Sequence, residues 1–279
     1  MESKLILFEG IPGSGKSTFS RKTALFLKKN NINTHLYMEG CLHPANLDGY
    51  AVIKVSELKD LVENFPSFKD RIYKSMIYFN DNVLIQLKKN FTTKNAVYKY
   101  LQPNMVWGGN LEFNIFDDLH QNSWLKFSEK CINKSEVNIF DCAFLQDHIV
   151  EIMLFYNKSE DEIIDYFKRL EKNILPLSPK LYYIQQNNVE KTIENIAKKR
   201  IRKHNGKTWS EKVIDLISES LYGRKNKLIG FDGMIEYFKR RQEIELKVIK
   251  SLKLNRIIIV NDSYDWKAIQ KKIYEALID

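Results

Sequence analysis

Leu5-Ile6-Leu7-Phe8-Glu9-Gly10-Ile11-Pro12-Gly13-Ser14-Gly15-Lys16-Ser17-Thr18 is the stretch whose reading decides the fold. A short apolar run ends in a glycine turn, and a helix-compatible segment opens at the lysine. Gly10 to Ser17 fits G-x-x-x-x-G-K-[ST] at every fixed position. Gly10, Gly13 and Gly15 permit positive φ and close backbone approach. Their N–H groups, with those of Ser14, Lys16, Ser17 and Thr18, would point at the phosphates of a nucleotide beside the positive end of the helix. Lys16 is expected to bridge the β- and γ-phosphates, and the Ser17 hydroxyl to hold Mg²⁺. The stretch therefore predicts a site for ATP or GTP with Mg²⁺. A glycine turn without a ligand is the competing reading, and the flanking strand and helix weigh against it.

Outward from this loop, four more apolar runs end in turn residues: Thr34 to Met38, Val137 to Phe140, Leu181 to Ile184 and Ile257 to Val260. They lack strict alternation, as parallel strands covered on both faces do. Helical stretches are predicted at 16–29, 56–89, 113–130, 146–157, 160–173, 189–202, 210–222 and 232–252, with Asn188 and Ser210 as start signals. Strands alternating with helices predict an α/β doubly wound sheet. Residues 55–112, between the second and third strands, are too long for a simple crossover and are expected to form a helical insertion. No repeat or low-complexity linker interrupts the chain, so 1–279 is taken as a single domain.

Composition is ordinary for a globular chain, with 44% hydrophobic and 28% charged residues. No apolar stretch approaches a membrane span and none resembles a signal peptide, so the expectation is a cytoplasmic protein without membrane attachment. Cys41, Cys131 and Cys142 show no CxxC spacing and are expected to be buried, reduced thiols. The net charge of +9 has two readings, attraction to polyanions or a scattered lysine-rich surface, and the even spread of the lysines favours the second. Guanine readout by Asn-Lys-x-Asp after a strand is absent: Asn133-Lys134-Ser135-Glu136, Asn157-Lys158-Ser159-Glu160 and Asn226-Lys227-Leu228-Ile229 all lack the aspartate. The third strand ends Phe140-Asp141-Cys142, without the Asp-Glu pair of motor-type ATPases.

With the loop after a first strand, an acid (Glu39) ending the second, an acid (Asp141) ending the third and a basic segment after the fourth, the chain resembles the P-loop nucleoside and nucleotide kinases. Thymidylate kinases, deoxynucleoside kinases, chloramphenicol phosphotransferase and zeta-toxin-like kinases belong to that group. The resemblance implies a five-stranded parallel sheet of order 2-3-1-4-5 and a divergent member. The thymidylate kinase signature Asp-Arg-Tyr/Ser is replaced by Asp141-Cys142-Ala143, and the deoxynucleoside kinase Glu-Arg-Ser is also missing.

The same resemblance implies roles for particular residues. Glu39 would be the base, against the alternative of a loop carboxylate capping nearby backbone. Asp141 would hold Mg²⁺ or bind the acceptor; which of the two acids is the base stays open. Glu9 reads as a structural or acceptor-orienting acid. Arg200 and Arg202, in Lys198 to Lys203, would clamp the transferring phosphoryl group from a lid-like region over 189–230, against a solvated helix end. Asp262 stands after the fifth strand, where such kinases hold the adenine. His43 is either a pocket or a plain loop residue. Tyr98, Tyr100, Trp107 and Phe113, in the acceptor-cap region, either stack on the acceptor or pack a core. Arg240 and Arg241 read as surface or salt-bridged residues.

The expectation is a phosphotransferase with a small-molecule acceptor: nucleoside, nucleotide, antibiotic or metabolite. A nucleic-acid end kinase and a regulatory ATPase are the alternatives, and a homodimer is compatible with either.

Overall fold

The computed structural model describes residues 2–41, 43–263 and 265–278. In chain order the elements are β1 (Leu5–Glu9), α1 (Lys16–Lys29), β2 (Thr34–Tyr37), β3 (Tyr50–Lys54), α2 (Leu58–Asn64), α3 (Lys69–Lys74), β4 (Met76–Phe79), β5 (Asn82–Gln86), α4 (Leu87–Asn90), α5 (Ala96–Leu101) and α6 (Phe113–Cys131). Then follow β6 (Val137–Asp141), α7 (Gln146–Glu151), α8 (Glu160–Ile174), β7 (Lys180–Gln185), α9 (Val189–Lys199), α10 (Trp209–Glu219), α11 (Leu221–Lys225), α12 (Gly230–Ser251), β8 (Asn255–Val260) and α13 (Trp266–Ile278). Whereas the sequence predicts one domain, the chain divides into two compact units, Met1–His43 with Trp124–Asp279, and Pro44–Ser123.

The first unit holds a five-stranded sheet of order β2-β6-β1-β7-β8. All four pairings are parallel, with Leu5 opposite Asn138 and Ile6 opposite Lys180 at the centre. This is the 2-3-1-4-5 order expected for its strands. β1 and β6 are buried along their whole length, which explains their unbroken apolar runs. One sheet face packs Ile6, Phe8, Tyr182, Ile184 and Ile259 against Phe19, Leu27, Ile269 and Ile273. Elsewhere in this unit Trp124, Phe127, Phe140 and Phe144 meet edge to face or tilted, at ring separations of 5.3–6.0 Å. The chain thereby fixes the carboxyl ends of β1, β2 and β6 side by side, where the phosphate loop and both acids stand.

Helix boundaries follow their caps. α9 starts at Asn188 as predicted, whose side chain accepts from the Lys191 N–H. α10 starts earlier than predicted, because Thr208 and Glu211 form a reciprocal capping box. α9 stops at Lys199, short of the predicted 202. Beyond it, Asn205 and Gly206 take φ of 54° and 79° and turn the chain tightly, so that His204 and Lys207 pair.

The second unit corrects the expectation of a helical insertion. It contains short helices and also a three-stranded antiparallel sheet, β3-β5-β4. Met76–Phe79 and Asn82–Gln86 pair across the two residues Asn80 and Asp81, with Asn80 left-handed at φ 49°. The predicted helix over 56–89 therefore breaks into α2, α3 and a hairpin. Its core gathers Ile53, Leu61, Ile72, Ile85 and Leu101.

Candidate active site

The phosphate loop has the geometry its glycines foreshadow. Gly10, Gly13 and Gly15 all take positive φ. Gly15 sits at φ 105° just before α1, and a Cβ there would lie 2.6 Å from the Trp266 ring. At Gly10 a Cβ would lie 2.6 Å from the Ile184 carbonyl. No larger residue fits either place. Thr18 and Phe19 N–H donate back to the Gly15 carbonyl at 3.0 and 3.1 Å, starting the helix directly behind the loop. Lys16 is buried, and its Nζ donates to the Ile11 carbonyl at 3.3 Å. Burial disfavours its ammonium, yet Cys142, Glu39 and Asp141 raise its pKa above the ordinary lysine value. Ser17 and Thr18 open α1, half-buried and exposed respectively.

Residues that sequence reasoning passed over brace this loop. Asn261 Nδ2 donates to the Ser14 carbonyl at 2.7 Å. Gln186 donates from Nε2 to the Asn261 carbonyl at 3.0 Å and accepts from Thr192 Oγ1 at 3.0 Å. Gln242 on α12 pairs with the backbone of Gln186 in both directions. Ser14 Oγ and Asn261 Oδ1 are buried without a hydrogen-bond partner. Unmet polar groups of this kind, clustered beside a phosphate loop, suit a polar ligand.

The strand-end acids separate into different roles. Glu9 is fully buried, and its carboxyl accepts from the N–H groups of Phe144, Leu145 and Gln146 at 2.8, 2.9 and 3.1 Å. Burial raises it to about 8 against the pull of those donors. It fastens β1 to the turn before α7, a structural task. Glu39 is exposed just past β2, and its Oε1 accepts from Gln146 Nε2 at 2.7 Å. Desolvation pushes its pKa up, but Lys16, the Gln146 bond, Arg200 and Arg241 hold it below the ordinary glutamate value, so it is an anion at neutral pH. Asp141 is buried at the end of β6, Oδ1 meets the Cys142 thiol at 3.4 Å, and Oδ2 has no hydrogen-bond partner. Cys142 is left-handed at φ 74° and fully buried, and burial pushes its thiol well above the ordinary range. Cys131 is also buried, whereas Cys41 is exposed, against expectation.

Arg200 caps the end of α9, exposed, with its guanidinium 5.3 Å from the centre of the Trp209 ring. Arg202 lies beyond the helix in exposed irregular chain, past the Arg200 cap. The two are thus not successive positions of one helix end. Asp262 is engaged by Asn187, accepting from its N–H at 2.8 Å and its Nδ2 at 2.6 Å. His43 packs edge-on against Phe140, ring centres 4.8 Å apart. Tyr98 belongs to the core of the second unit, while Tyr100 is half exposed and meets Phe65 edge to face. Arg240 pairs at the surface with Glu243 at 2.9 Å, and Arg241 pairs with Glu245 at 2.6 Å in full burial.

Among the described residues no group of three or more His, Cys, Asp or Glu side chains gathers around a metal position. Mg²⁺ in such a site needs few protein ligands, since phosphate oxygens and water complete its shell. The orphaned, buried Asp141 Oδ2 and the Ser17 hydroxyl at the head of α1 fit that requirement. No helix among the described residues is long and apolar enough to cross a membrane.

No family model matches the chain. A thymidylate kinase of Wolbachia pipientis subsp. Culex pipiens (strain wPip) is 26% identical over 227 residues, covering 78% of this chain and 97% of that protein. Among solved structures, thymidylate kinase from Ehrlichia chaffeensis is 14% identical at a TM-score of 0.45, covering 99% of this chain and 98% of its own. That from Candida albicans is 13% identical at 0.40, covering 99% and 91%. The chain is thus similar to a thymidylate kinase, which agrees with the expected resemblance to the P-loop nucleotide kinases. That similarity and the phosphate loop both agree with the expected phosphotransferase with a nucleoside triphosphate donor.

Proposed function

We propose that this chain is a Mg²⁺-dependent kinase that transfers the γ-phosphoryl group of ATP or GTP, bound over Gly10 to Thr18, to a nucleoside or nucleotide acceptor. The observation that carries this is one constellation: buried Lys16 at the head of α1, with Glu39, hydrogen-bonded by Gln146, and the orphaned Asp141 Oδ2 at the carboxyl ends of the adjacent strands β2 and β6. Lys16 neutralises the β- and γ-phosphate oxygens as the bond from γ-phosphorus to the bridging oxygen breaks. Ser17 and Asp141 would hold Mg²⁺, which supplies further charge neutralisation when bound. Arg200, in the lid-like region 189–230, meets the equatorial oxygens with a planar fork of donors, and Arg202 follows it. Asp262 shapes the end of the base site through the backbone it holds at Asn187.

The name of the curated relative makes thymidine monophosphate the first acceptor to test. Its phosphate oxygen is already anionic and needs no base. A second reading, a hydroxyl acceptor of the thymidine type, is favoured by one observation: Asp141 is followed by Cys142 and Ala143, so the arginine of the thymidylate kinase signature is missing. Two carboxylates repel a phosphate dianion, whereas a carboxylate readily takes a hydroxyl proton. In this second reading Glu39 receives that proton as the new oxygen–phosphorus bond forms. Product analysis with labelled γ-phosphate, offering thymidine and thymidine monophosphate in parallel, separates the two. Transfer to neither, nor to any nucleoside or nucleotide, sinks the proposal.

A further inference from the structure

Glu39 does not hold its position alone. Its partner Gln146 accepts, through Oε1, from Arg241 Nη2 at 3.1 Å. Arg241 donates from Nε to Glu245 Oε1 at 2.6 Å, one helical turn along α12. Glu245 Oε2 in turn accepts from the Tyr183 hydroxyl of β7 at 2.6 Å. Arg241 and Glu245 are 2% and 0% exposed, and Gln146 is 8% exposed. An arginine only donates, so the face of Gln146 turned to it must be the amide oxygen. That leaves the NH₂ group, and no other, facing Glu39. The orientation of an otherwise reversible amide is thus fixed from inside the core.

We propose that Gln146 and Arg241 are positioning residues, the outer links of a buried relay Tyr183–Glu245–Arg241–Gln146 that fixes the Glu39 carboxylate toward the acceptor. The inference rests on the kinase reading above for its purpose, but not for its geometry. A buried ion pair is a poor source of stability compared with apolar packing, and such a pair is well suited to specifying one arrangement. Hydrogen bonds inside a low-dielectric core reinforce one another, so the outer link inherits rigidity from the inner ones. The cationic groups that act on Glu39 are Lys16 from α1, Arg200 from the end of α9 and Arg241 from α12, and the buried Cys142 thiol just past β6 also interacts with it, a thiol that burial keeps neutral. Gln146, from α7, is the neutral donor among them.

Two readouts test this on the full chain. The first is the titration of the Glu39 side-chain carboxyl followed by carbon-detected NMR, which needs no acceptor. In Gln146→Leu its midpoint should rise, because one donor to the anion is lost. In Gln146→Glu it should rise further, by about one pH unit, because a second carboxylate faces it. The second readout is steady-state transfer to the acceptor. Gln146→Leu should lower kcat by 10- to 100-fold with the KM for the nucleotide unchanged, and Gln146→Glu should move the acidic limb of the kcat/KM profile upward. Removing Arg241 alone would strand a buried carboxylate, so the paired change Arg241→Met with Glu245→Leu is used. It should lower kcat like Gln146→Leu, and the triple variant should lose little more. A Glu39 midpoint and kcat unmoved in Gln146→Leu, with only the melting temperature changed, overturns the relay. A shifted Glu39 midpoint in a protein whose wild type transfers to no acceptor supports the relay and instead overturns the kinase reading.

Discussion

Gly15→Ala offers the sharpest structural perturbation of the phosphate loop. A side chain at φ 105° lies outside the regions L-residues favour and costs about 1–3 kcal/mol in backbone strain. Its Cβ would also stand 2.6 and 2.9 Å from two Trp266 ring atoms, and forcing a methyl against a rigid ring adds about 1–3 kcal/mol. The two together give about 2–6 kcal/mol. For a chain of this size that is a fall in melting temperature of roughly 5–20 °C. Nucleotide affinity, measured by calorimetry, should fall with it, because the strained residue is the one that orients the loop amides. The two contributions are separable. Gly15→Ala in a Trp266→Leu background should recover the steric part of the loss and keep the backbone part, so the double-mutant cycle shows a coupling of about 1–3 kcal/mol. A Gly15→Ala protein with unchanged melting temperature and unchanged nucleotide affinity would refute the reasoning about this loop.

Other perturbations reach the remaining parts of the site. Asp141→Asn should raise the Mg²⁺ concentration needed for half-maximal transfer by about 10-fold or more while leaving metal-free nucleotide binding little changed, as a magnesium titration would show. Arg200→Ala should lower kcat by roughly 10³-fold, the lower end of what a phosphoryl-clamping arginine supplies, and Arg202→Ala should lower it far less, because Arg200 is held at the end of α9 with its charge acting on Glu39; initial rates at saturating donor decide this. His120 donates from its ring Nδ1 to the Phe116 carbonyl at 2.9 Å, and burial lowers it to about 4 from an ordinary 6.5. The unfolded chain takes up that proton first as the pH falls, so stability from this group is present above about 6.5 and is lost progressively toward pH 4. Denaturation midpoints across that window should fall more steeply in the wild type than in His120→Gln.

The large sheet was legible because its strands are short apolar runs ending in turn residues, with no competing periodicity. Leu5–Phe8 and Val137–Phe140 could hardly be anything else, and strand order followed from the resemblance built on the phosphate loop. The second unit was not legible as read. Met76–Phe79 and Val83–Ile85 flank Asn80-Asp81, a hairpin signal that a helical reading of the whole stretch overrode. Asn205-Gly206 is the same kind of signal, and it marks the tight turn that pairs His204 with Lys207 beyond α9. Within the site, Lys16 and the strand-end acids announce themselves by position. Gln146, Arg241, Asn261 and Gln186 do not, since their roles come from buried contacts between elements distant in sequence. Arg241 in particular sits in a charged helical stretch, and only the fold reveals that it, and not Arg240, faces inward.

The central claim is that one site, Gly10 to Ser17, delivers a phosphoryl group to a small acceptor. A single-turnover reaction with γ-labelled ATP, enzyme in excess and Mg²⁺ present tests it most directly. The account predicts one labelled acceptor molecule for each ADP formed, with both products lost together in Lys16→Met. ADP formed with free labelled phosphate and no labelled acceptor, across nucleosides and nucleotides, would contradict it.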